Sequence, residues 1–196
     1  MMKQSSAAAA AAIVLGAFIG LGSAGCSGPP QTSRLRGSDL ELATTEVTQQ
    51  LAESPFLSGR SASSPVAILQ PRPMENLSDN RLSVGDQWSA MSLILMNPNV
   101  FQMLRDKNVQ LLVPRESRRD ATLAGLSSTA PAGDAPTHIF QPVLRTITRG
   151  GGGESKDAAR RDVYLMEYTI AELPSRRVVW SGQTTFSRVA HGSLID

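Results

Sequence analysis

The chain has 196 residues, room for one ordinary domain and a leader and too few for two catalytic domains. Hydrophobic residues make up 41% and charged residues 18%, enough to bury a core, while 16 Gly and 12 Pro call for irregular stretches. A formal net charge of +2 excludes an electrostatic nucleic-acid binder, and a single Cys with 2 His excludes an internal disulfide and a cysteine-built metal cage, so neither metal nor other cofactor is expected.

Met1-Met2-Lys3 supplies a positive start, and an uncharged apolar run from Ala7 to Leu21 follows, ending in small residues. This is the grammar of a secretory signal. A membrane-spanning helix needs roughly 20 apolar residues, and Gly16, Gly20 and Gly22 weaken this run further, so an uncleaved anchor is the alternative rather than the first reading. The sole cysteine, Cys26, stands directly after Ser23-Ala24-Gly25. That arrangement resembles the lipobox of bacterial lipoproteins, in which cleavage, here between Gly25 and Cys26, precedes lipid modification of the cysteine. The sequence departs from the lipobox at Ser23, where an aliphatic residue is usual. The expected organisation is a signal peptide over 1–25, a flexible linker over 26–37 after the lipidated Cys26, and a periplasmic domain over 38–196. Stable anchoring needs more than one acyl chain, which a lipoprotein cysteine carries. Ser27 rather than Asp follows the cysteine. By resemblance to enteric lipoproteins this implies an outer-membrane anchor facing the periplasm, with the inner membrane as the alternative.

Ser27 to Gly37 is rich in Pro, Gly and Ser and has the composition of a linker. Ser38 and Glu41 match a capping box, and Leu40, Ala43, Val47 and Leu51 make one apolar stripe, so a helix is expected from Ser38 until Pro55 ends it. Residues 59–64 read as a loop. Val66 to Leu69 is a continuous apolar run, the pattern of a strand covered on both faces, with Pro71 and Pro73 forbidding its continuation. Glu75 to Asn80 has turn chemistry and reads as an exposed loop open to a partner. Ser83 and Asp86 form a second capping box before Val84, Trp88, Met91 and Leu95, a second helix packed on the sheet. Asn97-Pro98-Asn99 breaks it, and Val100 to Leu104 is a strand candidate.

Val109 to Val113 suits either a strand or a short helix, limited by Pro114. Arg115, Arg118 and Arg119, interrupted by Glu116 and Asp120, read as solvated surface, and 127–136 as loop. Ile139 to Ile147 is a strand whose internal Pro142 belongs at an edge or bulge. The glycines of 150–157 lack the Lys-Ser or Lys-Thr ending of a phosphate loop. Tyr164, Met166, Tyr168 and Ile170 alternate onto one face, as do Val178, Trp180, Thr184 and Phe186 after a turn at Pro174-Ser175-Arg176, and Trp180 is expected in cross-strand contact with the tyrosines.

This order of elements resembles the LpoB family of penicillin-binding protein activators, within the broader CsgG and TolB amino-terminal-like group. The residues that carry the resemblance are Leu51-Ala-Glu-Ser-Pro-Phe56, Val66-Ala-Ile-Leu69 before a loop containing Asn76, and Asn99-Val-Phe-Gln-Met103. In the tail they are Tyr164-Leu-Met-Glu-Tyr-Thr-Ile170 and Val178-Val-Trp-Ser-Gly182. It spans Asp39 to Arg188, and departs from the family at the hairpin turn Leu173-Pro-Ser-Arg-Arg177. The resemblance implies an α+β fold, a mixed and mostly antiparallel sheet of four to five strands with helices packed on it, TolB N-terminal-like. It further implies a non-catalytic lipoprotein that binds and activates a bifunctional penicillin-binding protein in peptidoglycan synthesis. The alternative in the same group is a CsgG-like component of secretion or fibre assembly, disfavoured because no spare strands of about ten residues with lipid-facing alternation are evident. The linker is shorter than that of the enteric family member. About eleven residues reach near 40 Å at most.

No enzymatic activity is expected and no catalytic residue is assigned. His138 and His191 stand in no nucleophile or base motif, and Glu167 and Glu172 fall on opposite strand faces by parity. Neither nucleic acid nor a small-molecule substrate is expected as a partner.

Overall fold

The computed structural model describes residue 35, residues 37–150 and residues 159–191. The signal peptide, Gly25, Cys26, the linker up to Arg34 and the glycine-rich stretch 151–158 lie outside them. No helix among the described residues is long and apolar enough to cross a membrane.

Helix α1 spans Gly37–Ala52, opening one residue ahead of the expected start. The capping bond expected of Ser38 falls on a side chain outside the described residues. The stripe expected from spacing is the buried one: Leu40, Ala43, Val47 and Leu51 are each at most 2% exposed. Pro55 ends α1 and also starts a one-turn helix, α2 (Pro55–Ser58). Ser54 caps it, its Oγ accepting from Leu57 N at 3.3 Å.

Strand β1 (Ala67–Pro71) begins one residue late, leaving Val66 45% exposed, and it ends on Pro71 rather than before it. Proline suits that place because a last residue need not donate onward along the ladder. The stretch read as a turn contains a short strand, β2 (Glu75–Leu77), which pairs in parallel with the later strand β4 (His138–Gly150). Turn-forming residues follow it immediately, which is why composition alone hid it.

Helix α3 (Val84–Leu95) has the expected capping box: Ser83 Oγ accepts from Asp86 N at 3.1 Å, and the Asp86 carboxylate accepts from Ser83 N at 3.3 Å. Trp88, Met91 and Leu95 are buried, but Val84, in the first turn, is 52% exposed.

The strand expected at 100–104 is instead helix α4 (Pro98–Asp106). Asn97 caps it, accepting from Asn99 N at 3.0 Å, and Pro98 occupies the first turn, where its missing N–H costs nothing. Val100 and Leu104, four apart, are the buried pair. Asn108, at φ 53°, turns the chain into β3 (Val109–Leu111), which resolves the ambiguous segment as strand. Beyond Pro114, a 3-10 turn (Arg115–Ser117) and helix α5 (Arg118–Leu123) carry the arginine cluster on the exterior.

Strands β4, β5 (Ala159–Glu172) and β6 (Val178–His191) complete a six-stranded mixed sheet. Its path is β3-β1-β4-β5-β6, with β2 also on β4, so the sheet holds more strands than expected. The β1, β2 and β3 pairings are parallel and short, while β4–β5–β6 is a long antiparallel ladder.

Strand β4 is interior and its bulge falls between Thr146 and Thr148, so Pro142 stands neither at an edge nor at a bulge, contrary to expectation. The Phe140 carbonyl accepts from Arg72 N at 2.9 Å. Alternation therefore turns the Pro142 nitrogen to the same side, into the interval between Pro71↔Phe140 and Glu75↔Val143 where no ladder bond is required.

Tyr164, Met166, Tyr168 and Ile170 join the α1 and α3 stripes in one core. The intervening Val163, Leu165, Glu167, Thr169 and Ala171 face the other way and are only partly buried. A bulge between Ile170 and Ala171 leaves Val178 56% exposed, against expectation, while Val179 packs on the core. Trp180 meets the Phe140 ring, centroids 6.1 Å apart. The tyrosines also stack on phenylalanines rather than on Trp180: Tyr168 on Phe140 and Tyr164 on Phe186.

Candidate partner-binding site

The loop containing Asn76 is built by its own side chains. Asn76 Oδ1 accepts from Ser78 N at 3.1 Å and from Ser78 Oγ at 2.7 Å; Asn76 Nδ2 donates to the Asn80 carbonyl; and Ser78 Oγ accepts from Asn80 N at 3.2 Å. These are the local bonds that make Asn and Ser turn formers. Asn80 then fastens the loop to the domain. It is 9% exposed and donates from Nδ2 to the Tyr164 hydroxyl at 2.9 Å, while its Oδ1 accepts from Leu35 N at 3.3 Å.

The loop therefore sits where the chain joins the domain. It borders an open groove of about 910 Å³ lined by Arg72, Glu75, Asp79, Arg81, Gln87 and Gln141 among others. The side chains offer both signs of charge and carboxamides, a surface suited to hydrogen bonding with a polar partner. A second cleft of about 600 Å³, lined by Leu40, Ser89, Leu93, Met96 and Ala124 among others, lies between α1, α3 and α5.

His138 stands at the opposite end of β4. It pairs across the ladder with Glu172, its Nδ1 lies 2.8 Å from Thr137 Oγ1, and its ring is 5.1 Å from that of Phe56. Burial holds its imidazole below the ordinary value, with Arg60 adding to this and Glu172 opposing it. Hydrogen bonding and attraction from Arg177 hold the Glu172 carboxyl low. The Arg177–Glu172 contact is 2.9 Å, and Arg60 lies over the Phe56 ring at 5.9 Å. His138 therefore belongs to an electrostatic and aromatic cluster at a sheet end, and the Thr137 hydroxyl beside it is held by the β1 backbone, accepting from Ile68 N at 2.8 Å. Burial raises the Tyr168 phenol, whose hydroxyl contacts Met166 Sδ.

Glu167 is engaged by Arg145 at 2.7 Å, and Glu172 by Arg177. The two carboxylates thus have separate cationic partners, as their opposite parity required. Among the described residues no group of three or more His, Cys, Asp or Glu could hold a metal ion. His191 ends β6, and its side chain lies outside the described residues. Gly25 and Cys26, the sequence-derived processing and lipid-attachment residues, also lie outside them.

Asn80 is the residue that sequence reasoning passed over. Its signal was present in the Asn-x-Ser-x-Asn spacing of 76–80, but its partner Tyr164 lies 84 positions away.

No family model matches the sequence, and no curated protein matches it. Solved structures to which the chain is similar include the LpoB C-terminal domain from Salmonella enterica, with a TM-score of 0.44, 9% identity, and coverage of 76% of this chain and 98% of that one. They also include the LpoB C-terminal domain from Escherichia coli, with a TM-score of 0.39, 11% identity, and coverage of 76% and 99%. A solution structure of Escherichia coli LpoB has a TM-score of 0.39, 11% identity, and coverage of 97% and 87%.

Proposed function

We propose that this chain is a lipid-anchored envelope protein of the LpoB kind. It is exported by residues 1–25, cleaved between Gly25 and Cys26, acylated at Cys26, and active by docking on a bifunctional penicillin-binding protein that it stimulates in peptidoglycan synthesis. The observation that carries the reading is the sole cysteine placed directly after an export signal and ahead of a domain with the closing-hairpin residues 164–170 and 178–182. The separation of Glu167 and Glu172 into different ion pairs, and the setting of His138, fit a protein that acts by contact rather than by bond chemistry.

Docking activates only by favouring the active conformation of the synthase over the inactive one. The self-bonded Asn76–Asn80 loop suits this task because its shape is set before the partner arrives, which lowers the ordering cost of binding. The outer membrane, periplasmic face, is the proposed address, from Ser27 after the cysteine.

The test is glycan polymerisation and crosslinking by the purified cognate synthase on its lipid-linked substrate. Severalfold acceleration by this chain is expected, with no turnover or wall degradation by the chain alone. Equal rates with and without it, or degradation of peptidoglycan by the chain alone, would reverse the reading. Separately, palmitate labelling is expected in the wild type and lost in Cys26→Ala; equal labelling removes the anchor.

A further inference from the structure

The half of the sheet nearest the tether carries an arginine-rimmed apolar patch on the face turned away from the core, and we propose that this patch rests on an anionic phospholipid surface as a second membrane contact beside the lipid at Cys26. The inference rests on the anchored reading, which brings this end of the domain to a membrane.

The register puts the patch together. Leu165 on β5 is flanked by Arg145 of β4 and Thr185 of β6, Val163 by Thr148 and Ser187, and Arg161 by Gly150 and Val189. These residues of β5 alternate with Tyr164 and Met166, which point into the core, so they share the opposite face. The bulge between Thr146 and Thr148 pushes Ile147 outward, where it is 51% exposed, and Val189 is 40% exposed. Arg145 keeps half of its side chain in solvent, and Arg161 is exposed, donating to Ser187 Oγ at 3.3 Å. Among the described residues of these strands, Glu167 pairs with Arg145, and Asp162 is turned to the core side at 1% exposure.

The place where the chain joins the domain selects the occupant. Leu35 is bonded to Asn80, and Asn80 to the Tyr164 hydroxyl on the core side of β5, so the tether joins the domain at the same end of the ladder as the patch. From Cys26 to Leu35 the chain can extend roughly 30 Å, which keeps this end of the domain close to the leaflet that holds the anchor. Exposed aliphatic side chains beside arginines match the boundary between acyl chains and anionic headgroups: the apolar tips enter, and the guanidinium groups remain with the phosphates. Each basic residue at such a surface strengthens binding roughly fivefold at moderate salt, and the gain falls as salt is added.

The test uses residues 26–196 with Cys26→Ser, so that no acyl chain contributes. Every residue of the described core lies between Leu40 and Trp180, so this chain retains them all. Co-sedimentation is measured with vesicles of phosphatidylglycerol and phosphatidylcholine, and with phosphatidylcholine alone. Expected are binding to the anionic vesicles only, loss of binding in high salt, and at least about a tenfold loss in R145E/R161E. Ile147→Ser, at an exposed site where folding is little affected, lowers binding without changing the melting temperature, whereas Leu123→Ser, 79% exposed elsewhere, leaves it unchanged. Equal binding to both vesicle types, no binding to anionic vesicles at low salt, or indifference to both sets of variants would overturn the proposal. So would concentration-dependent self-association without vesicles that Ile147→Ser abolishes, because the patch would then join two copies of the chain. Cys26 is absent from the assay, so a failure of lipidation and a failure of this patch are read separately.

Discussion

Gly182 shows how a single residue is dictated by its neighbours. A Cβ placed there would stand 2.7 Å from Trp180 Cζ2 and 2.8 Å from Gln50 Oε1. The indole packs over the glycine, and the Gln50 carboxamide closes on β6 by accepting from Gln183 N at 3.1 Å and donating to its carbonyl at 3.0 Å. Gly182→Ala is therefore expected to lose about 1–3 kcal/mol, read as a lower urea midpoint with an unchanged slope; an unchanged midpoint would mean that the ring and the carboxamide move aside freely. His138 yields a prediction in pH. Its imidazole is held below the ordinary 6.5 in the folded state, so on acidification the unfolded chain takes up that proton first. Stability should fall as pH drops below about 6.5, and Glu172, held low by Arg177, adds a loss in the same direction at more acid pH. Melting temperature followed from about pH 7.5 to 5.5 should decline less steeply in His138→Asn; parallel curves would assign the decline to other groups.

At the scale of elements, local chemistry decides where helices begin. The Ser83–Asp86 box closes in both directions, and Ser83→Ala is expected to lower stability by about 0.5–2 kcal/mol in chemical denaturation. A loss near zero would show that Asp86 or water takes over the cap. The box, the α1 stripe and the alternation in β5 were legible because each depends on residues within a few positions of one another. Residues 100–104 were not, since apolar Val, Phe, Met and Leu fit either period over so short a run. The Asn97 cap and Pro98 tip the balance to helix. The three residues of β2 were hidden for a different reason: nothing in Glu75-Asn76-Leu77 is strand-like, and the pairing exists because β4 passes beside it. Pro142 is the converse case, a residue that signals an edge yet stands in an interior strand because β1 ends and β2 begins across from it.

Taken whole, the molecule separates its tether from its hairpin. Leu35, Asn80 and the Arg188–Asp39 ion pair gather at one end of the long β4–β6 ladder, and His138, Glu172 and Arg177 at the other. Among the described residues β4, β5 and β6 are long, and all three are joined in one sheet that packs on the core.

The amino-acid order by itself determined the lone cysteine at position 26, the buried stripe of α1, the capped start of α3 and the buried parity of β5. Each of these is a local or periodic property that needs no knowledge of what lies across the fold. Only the tertiary structure decided that Asn80 pins the tether to Tyr164, that Phe140 rather than a tyrosine meets Trp180, and that Ile147, Leu165 and Arg161 share an open face. Those contacts join residues far apart in the chain. Their partners are set by strand register and packing, which a one-dimensional pattern does not contain.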